Sequence, residues 1–125
     1  MEQSAKKFTD LVAWQKGHEF VLLVYRLTKT FPSDERYGLV SQMCRAGVSI
    51  TSNLAEGFGR RWGKEKVRFY DTAIASLYEI QNQLYVARDI GYINQEDFQI
   101  AIDLSEDTQR LINALIRSIR QSQPS

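Results

Sequence analysis

The chain has 125 residues, 43% of them hydrophobic and 25% charged, with a net charge of +1; that is enough for one domain with its own core and too little for two. The balanced charge excludes a global attraction to nucleic acid, so any such attraction must come from a local patch. Apolar runs such as Phe20 to Tyr25 fall far short of the roughly 20 residues of a membrane span, and the polar start Met1 to Asp10 and the lone Cys44 supply neither a secretory leader nor an internal disulfide, so a cytoplasmic chain with no membrane partner is expected.

Apolar spacings of three and four predict four helices in succession. The first is expected to start at Thr9 or Asp10, which serve as N-caps, with Leu11, Trp14, His18, Val21, Leu22 and Tyr25 inward. It stops before Phe31-Pro32-Ser33, because proline disfavours helical geometry at the residue before it.

The second is expected from about Asp34, where Asp34 and Glu35 suit a helix N-terminus, to Gly57, with Leu39, Met43, Ala46, Ile50 and Leu54 inward. Its middle, Ala46, Gly47, Ser49, Thr51, Ser52 and Ala55, is made of small residues that let a neighbouring backbone approach. The run Gly57-Phe58-Gly59 reads as a glycine stop.

The third spans about Lys64 to Ile90, with Tyr70, Ala73, Ile74, Leu77, Leu84 and Ala87 inward, and halts at Gly91. Asn94 with Asp97 resembles a capping box that opens the fourth. There Phe98, Ala101, Ile102, Thr108, Ile112, Leu115 and Ile119 continue the stripe to near Arg120, and residues 1–8 and 121–125 are expected to fray. Long helices with short connections predict an all-α, up-and-down antiparallel four-helix bundle, a single domain over residues 1–125.

Candidate chemistry is sparse. Di-iron bundles need Glu-x-x-His pairs, but the chain has only His18 and no such pair, so Glu56 and Glu79 read as salt-bridge or capping residues and no metal is expected. Cys44 and His18 are the only thiol and imidazole, and both read as structural. No Arg precedes His18, which excludes the Arg-then-His arrangement of some helical RNases. Gly57, Gly59 and Gly63 follow a helix instead of a strand, unlike a phosphate-binding loop. Neither a catalytic residue nor a cofactor is expected, and the chain reads as no enzyme.

Charge patterning says more. Arg60, Arg61, Lys64, Lys66 and Arg68 stand against Glu65 alone, with Trp62 and Phe69 interleaved as faces on which bases or guanidinium groups stack. This segment is the predicted surface for RNA or DNA. Asn94 to Thr108 instead carries Glu96, Asp97, Asp103, Glu106 and Asp107 with no Lys or Arg. Together with aromatic residues beyond the needs of one stripe, such as Tyr78 and Tyr85, it supports the alternative of a protein-interaction scaffold or accessory subunit.

The segment Val48-Ser49-Ile50-Thr51-Ser52-Asn53-Leu54-Ala55-Glu56-Gly57-Phe58-Gly59-Arg60, then Ala73-x-x-Ser76-Leu77-x-Glu79, resembles a bacterial four-helix-bundle family. The family is named for open reading frames in 23S rRNA intervening sequences and is also called the S23 ribosomal protein family. Leu11-x-x-Trp14-Gln15-Lys16, Tyr25-x-Leu27-Thr28 before Phe31-Pro32, Tyr37-Gly38-Leu39 and Gly91-Tyr92-Ile93 extend the likeness over nearly the whole chain.

The resemblance implies a homopentameric, barrel-like assembly, no enzymatic activity and a nucleic-acid-binding role; a related bundle protein is an accessory factor for reverse transcription in diversity-generating retroelements. It also implies that Asn53, Glu56, Ser76 and Glu79 form a hydrogen-bond network between helices two and three, with Arg60 joining it or facing a phosphate. Two positions depart from the pattern. Trp62 stands where a capping Ser is frequent, and Ala75 where a Gly is common.

Overall fold

The computed structural model describes residues 5–122. Four helices follow one another: α1 (Val12–Thr28), α2 (Leu39–Phe58), α3 (Gly63–Asp89) and α4 (Gln95–Gln121), with short 3₁₀ turns at Phe8–Asp10 and Ser33–Glu35. Each helix packs on its neighbours in the chain and α4 closes on α1, while α2 and α3 share the most extensive contact. The arrangement is the up-and-down four-helix bundle that short connections favour. Most of residues 1–8 and 121–125, where fraying was expected, lies outside the described residues; of the remainder, Phe8 opens a 3₁₀ turn and Gln121 is still helical.

The core is continuous from Leu11 at one end to Phe31 and Phe98 at the other, with Phe20, Met43, Ile50, Leu54, Tyr70, Leu77, Ile80, Leu84 and Ile112 fully or almost fully enclosed. The inward stripes expected for α2, α3 and α4 face this core, apart from Leu39, Ile74 and Ile119, which are half-buried at its edges.

On α1 the expected stripe holds at Leu11 and Val21, which are buried, and at Trp14, which packs on the core edge, but the buried face is otherwise rotated from it. Ala13, Gly17, Phe20, Val21, Val24 and Thr28 face inward, whereas His18, Leu22 and Tyr25 are exposed. The cause is close packing. A Cβ on Gly17 would stand 3.5 Å from both Thr51 and Thr108, so α1 turns its small residues toward α2 and α4. Trp14 and His18 stack along the outer side of α1 instead, their rings 4.7 Å apart and nearly parallel, with Phe8 of the preceding turn edge-on to Trp14.

Three helix ends also differ from expectation. Neither Thr9 nor Asp10 caps α1, which begins at Val12 after the 3₁₀ turn; the Asp10 carboxylate instead accepts the Lys6 and Lys7 N–H groups, each at 3.0 Å. α2 begins at Leu39 and not at Asp34, because the Glu35 carboxylate turns back to accept the Leu39 N–H at 3.1 Å, and the chain makes a 3₁₀ turn before the helix proper. Gly57-Phe58-Gly59 is not a left-handed stop, since Gly57 lies inside α2 and Gly59 keeps φ −76°. The left-handed stop is at Gly91, φ +88°, where Tyr92 N–H bonds to Ala87 O at 2.8 Å and Gly91 N–H to Arg88 O at 3.0 Å. That pairing is a Schellman motif, and it satisfies carbonyls that the helix end leaves open. Asn94 does cap α4, accepting the Asp97 N–H at 2.7 Å.

Candidate nucleic-acid interface

The basic segment occupies the turn from α2 to α3 and the first turns of α3. Its position follows from how tightly the two helices meet. A Cβ on Gly57 would lie 2.6 Å from the Tyr70 ring and 3.0 Å from Phe69 Cβ, so only glycine admits this approach. Phe58 and Lys66 then face one another, and Lys66 Nζ donates to Phe58 O at 2.6 Å and to Gly57 O at 3.4 Å. Lys66 therefore caps the negative end of α2. Burial holds its ammonium below the usual lysine range.

The other predicted cations divide by surroundings. Arg60 pairs with Glu56 at 3.6 Å and lies 4.5 Å over the Phe69 ring. Arg61, Lys64 and Arg68 are exposed, and no ion pair engages them among the described residues. Trp62 is 63% exposed with the Arg61 guanidinium 5.4 Å from its ring. As the residue before α3 it makes no side-chain cap, so the first N–H groups of α3 have no hydroxyl or carboxylate partner there. An open depression of about 250 Å³ along the α2–α3 seam brings Arg60 and Arg68 together with Asn53, Phe69, Thr72 and one acid, Glu65.

The four residues implied as one polar network separate into three groups. Asn53 reaches Ser76 through Ser49: Asn53 Nδ2 donates to Ser49 O at 2.8 Å and to Ser49 Oγ at 3.1 Å, and the two serine hydroxyls are 2.8 Å apart. Glu56 bonds along α2 to Arg60, and Glu79 along α3 to Gln83 at 3.3 Å, both exposed. Ser49 is the joint that sequence reasoning missed. Its position four residues before Asn53, on the face that meets α3, was the available signal.

The remaining candidates lie elsewhere. Cys44 is half-buried, its sulfur 3.7 Å from the Thr28 hydroxyl. His18 sits ten residues earlier on α1, about 15 Å along the helix, so the two form no thiol–imidazole pair. Among the described residues no three His, Cys, Asp or Glu side chains cluster as a metal site, and no helix is long and apolar enough to cross a membrane. Ala75 is exposed on α3, so its methyl group does not touch the core. Glu96, Asp103 and Glu106 are exposed on the first half of α4, toward the end of the bundle remote from Arg61.

A family model described as 23S rRNA-intervening sequence protein matches residues 9–114. The bundle is also similar to the crystal structure of a protein of unknown function from the S23 ribosomal protein family of Bacteroides thetaiotaomicron VPI-5482. That likeness has a TM-score of 0.78 at 20% identity and covers 85% of this chain and 96% of the other. No curated protein matches the chain.

Proposed function

The chain belongs to the 23S rRNA-intervening sequence protein family, and from that premise we propose that it is a non-enzymatic, cytoplasmic, homo-oligomeric protein that binds RNA or DNA through phosphates at the α2–α3 turn. The observation that carries this reading is the exposure of Arg61, Lys64 and Arg68 around Trp62, with Glu65 as the one acid in the segment. Three cations neutralising three phosphates give a salt slope of about −2.7 on duplex DNA, which is weak binding for one chain. A ring of copies, pentameric by the family resemblance, multiplies that footprint.

Lys66 contributes little to the phosphate contacts, because two of its three donors hold α2. Changing Arg61, Lys64 and Arg68 together to Glu is expected to abolish salt-sensitive binding to a labelled oligonucleotide in a polarisation assay. Unchanged affinity in the intact oligomer would sink the reading.

A second reading has its own support. Tyr78 and Tyr85 are 59% and 48% exposed on one face of α3, and Ile100 is 54% exposed on acidic α4. Aromatic and apolar surface beside acids suits a basic protein partner. On that reading the protein is a scaffold or accessory subunit, and salt-washed preparations carry no nucleic acid.

A further inference from the structure

The bundle end that carries Arg61 and Lys64 collects cations from distant parts of the chain. Lys6 and Lys7 precede α1, and Arg117 and Arg120 lie on the last turns of α4, all exposed. Antiparallel topology puts these segments at one end. Where the four helix ends meet, a cavity of about 160 Å³ opens between walls that include Leu11, Phe58, Tyr70 and Leu115. Its rim includes Lys66, Ser118 and Ser122.

We infer that this cavity receives one unstacked nucleobase, which makes single-stranded nucleic acid the substrate class of the basic end. The inference rests on the phosphate-binding reading above and deepens it. Size is the first argument: ligand pockets of roughly 300–1,000 Å³ hold drug-sized or cofactor-sized molecules, whereas this one has room for a single planar ring. Chemistry is the second. The half-buried Phe58 ring and Ile119 side chain offer apolar surface to a base, above a floor of the nearly enclosed Leu11, Tyr70 and Leu115, and the Lys66 ammonium, with two protons on the end of α2, keeps a third donor for a carbonyl or ring nitrogen on the base edge.

Charge is the third argument. Lys64 on the first turn of α3 and Arg120 on the last turn of α4 are exposed cations at the same end of the bundle as the cavity. A strand held through its phosphates at this end of the bundle lies at the end that carries the opening. A duplex keeps its bases stacked inside and has none to insert.

The test compares a short single strand of thymidines with a duplex of equal length, by polarisation at physiological salt, on the full chain. The native protein is expected to favour the single strand by more than tenfold, because a base in the cavity contributes about tenfold beyond any stacking on Trp62. Ser118→Phe and, separately, Ser122→Phe fill the opening from two sides and are expected to lower that preference about tenfold, thermal unfolding serving to show that each variant is folded.

Equal affinities in the native protein overturn the inference, as does a preference that both variants keep; salt-sensitive binding that persists in either case leaves the phosphate reading standing. Occupation of the cavity by the chain's own residues 123–125, by a second copy or by an aliphatic ligand yields no single-strand preference and counts against it. Absence of any salt-sensitive binding by the native protein removes both readings together.

Discussion

The Lys66 ammonium lies 2.6 Å from the carbonyl oxygen of Phe58, so the first turn of α3 closes the last turn of α2. A cation at a helix C-terminus meets both the open carbonyls and the negative end of the dipole. Lys66→Met keeps the aliphatic stem and removes the donors. It is expected to cost about 1 kcal/mol, below the usual range for a charged hydrogen bond because the group is partly solvated, read as a fall of roughly 4 °C in the unfolding midpoint. Loss of salt-sensitive binding on the scale of the triple Glu variant would instead place Lys66 among the phosphate contacts.

Gly57 and Gly47 lie on the same helix and are expected to respond to alanine with opposite signs. At Gly57 the added methyl meets the buried Tyr70 ring at 2.6 Å; overpacking of that kind costs roughly 1–3 kcal/mol, more than the gain of about 1 kcal/mol in helix propensity. At Gly47 the nearest atoms, on Ile80 and Val21, stand 3.7 Å away, an ordinary contact. Gly47→Ala is therefore expected to raise the urea midpoint and Gly57→Ala to lower it. The same direction for both would show that propensity, and not the α2–α3 approach, decides.

The far end of the bundle holds a pH-sensitive tie. Tyr92 Oη donates to Glu35 Oε2 at 2.7 Å, linking the α3–α4 corner to the α1–α2 corner. That bond, with the Leu39 N–H, lowers the Glu35 pKa, and the same bond raises that of Tyr92. The lowered carboxylate contributes stability that is fully present above its ordinary pKa and is lost as pH falls through the folded value. The raised phenol contributes stability present below its ordinary pKa and lost as pH rises through the folded value. Tyr92→Phe is expected to flatten both limbs of stability against pH in urea titrations. Limbs matching the native protein would show that the tie is not made in solution.

Most of the fold was legible because three helices bury large residues at unambiguous spacing. On α2, α3 and α4 the phase followed from side chains such as Met43, Tyr70 and Ile112. On α1 it did not, because Leu22, Tyr25 and Trp14 give an apolar face as strong as the true one, while the buried face relies on Ala13 and Gly17, whose value is closeness to α2 and α4 and not hydrophobicity. The basic run was visible as a run. That Lys66 turns inward, and that Arg117, Arg120, Lys6 and Lys7 come to the same end, depends on topology and on the exit of α2, which no local pattern records.

Trp62 offers a way to separate the fold of this end from its use. It precedes α3 without capping it and is 63% exposed, so the core gains little from the indole. Trp62→Ser places a hydroxyl where the open N–H groups of α3 need an acceptor, and a Ser N-cap contributes about 1 kcal/mol over a non-capping residue. The same change removes the face beside Arg61 on which a base would stack, worth roughly 1–3 kcal/mol. The variant is expected to unfold at a higher urea concentration and to bind single strands about tenfold more weakly. A variant both less stable and fully competent to bind would mean that the indole supports the α2–α3 turn and has no part in recognition.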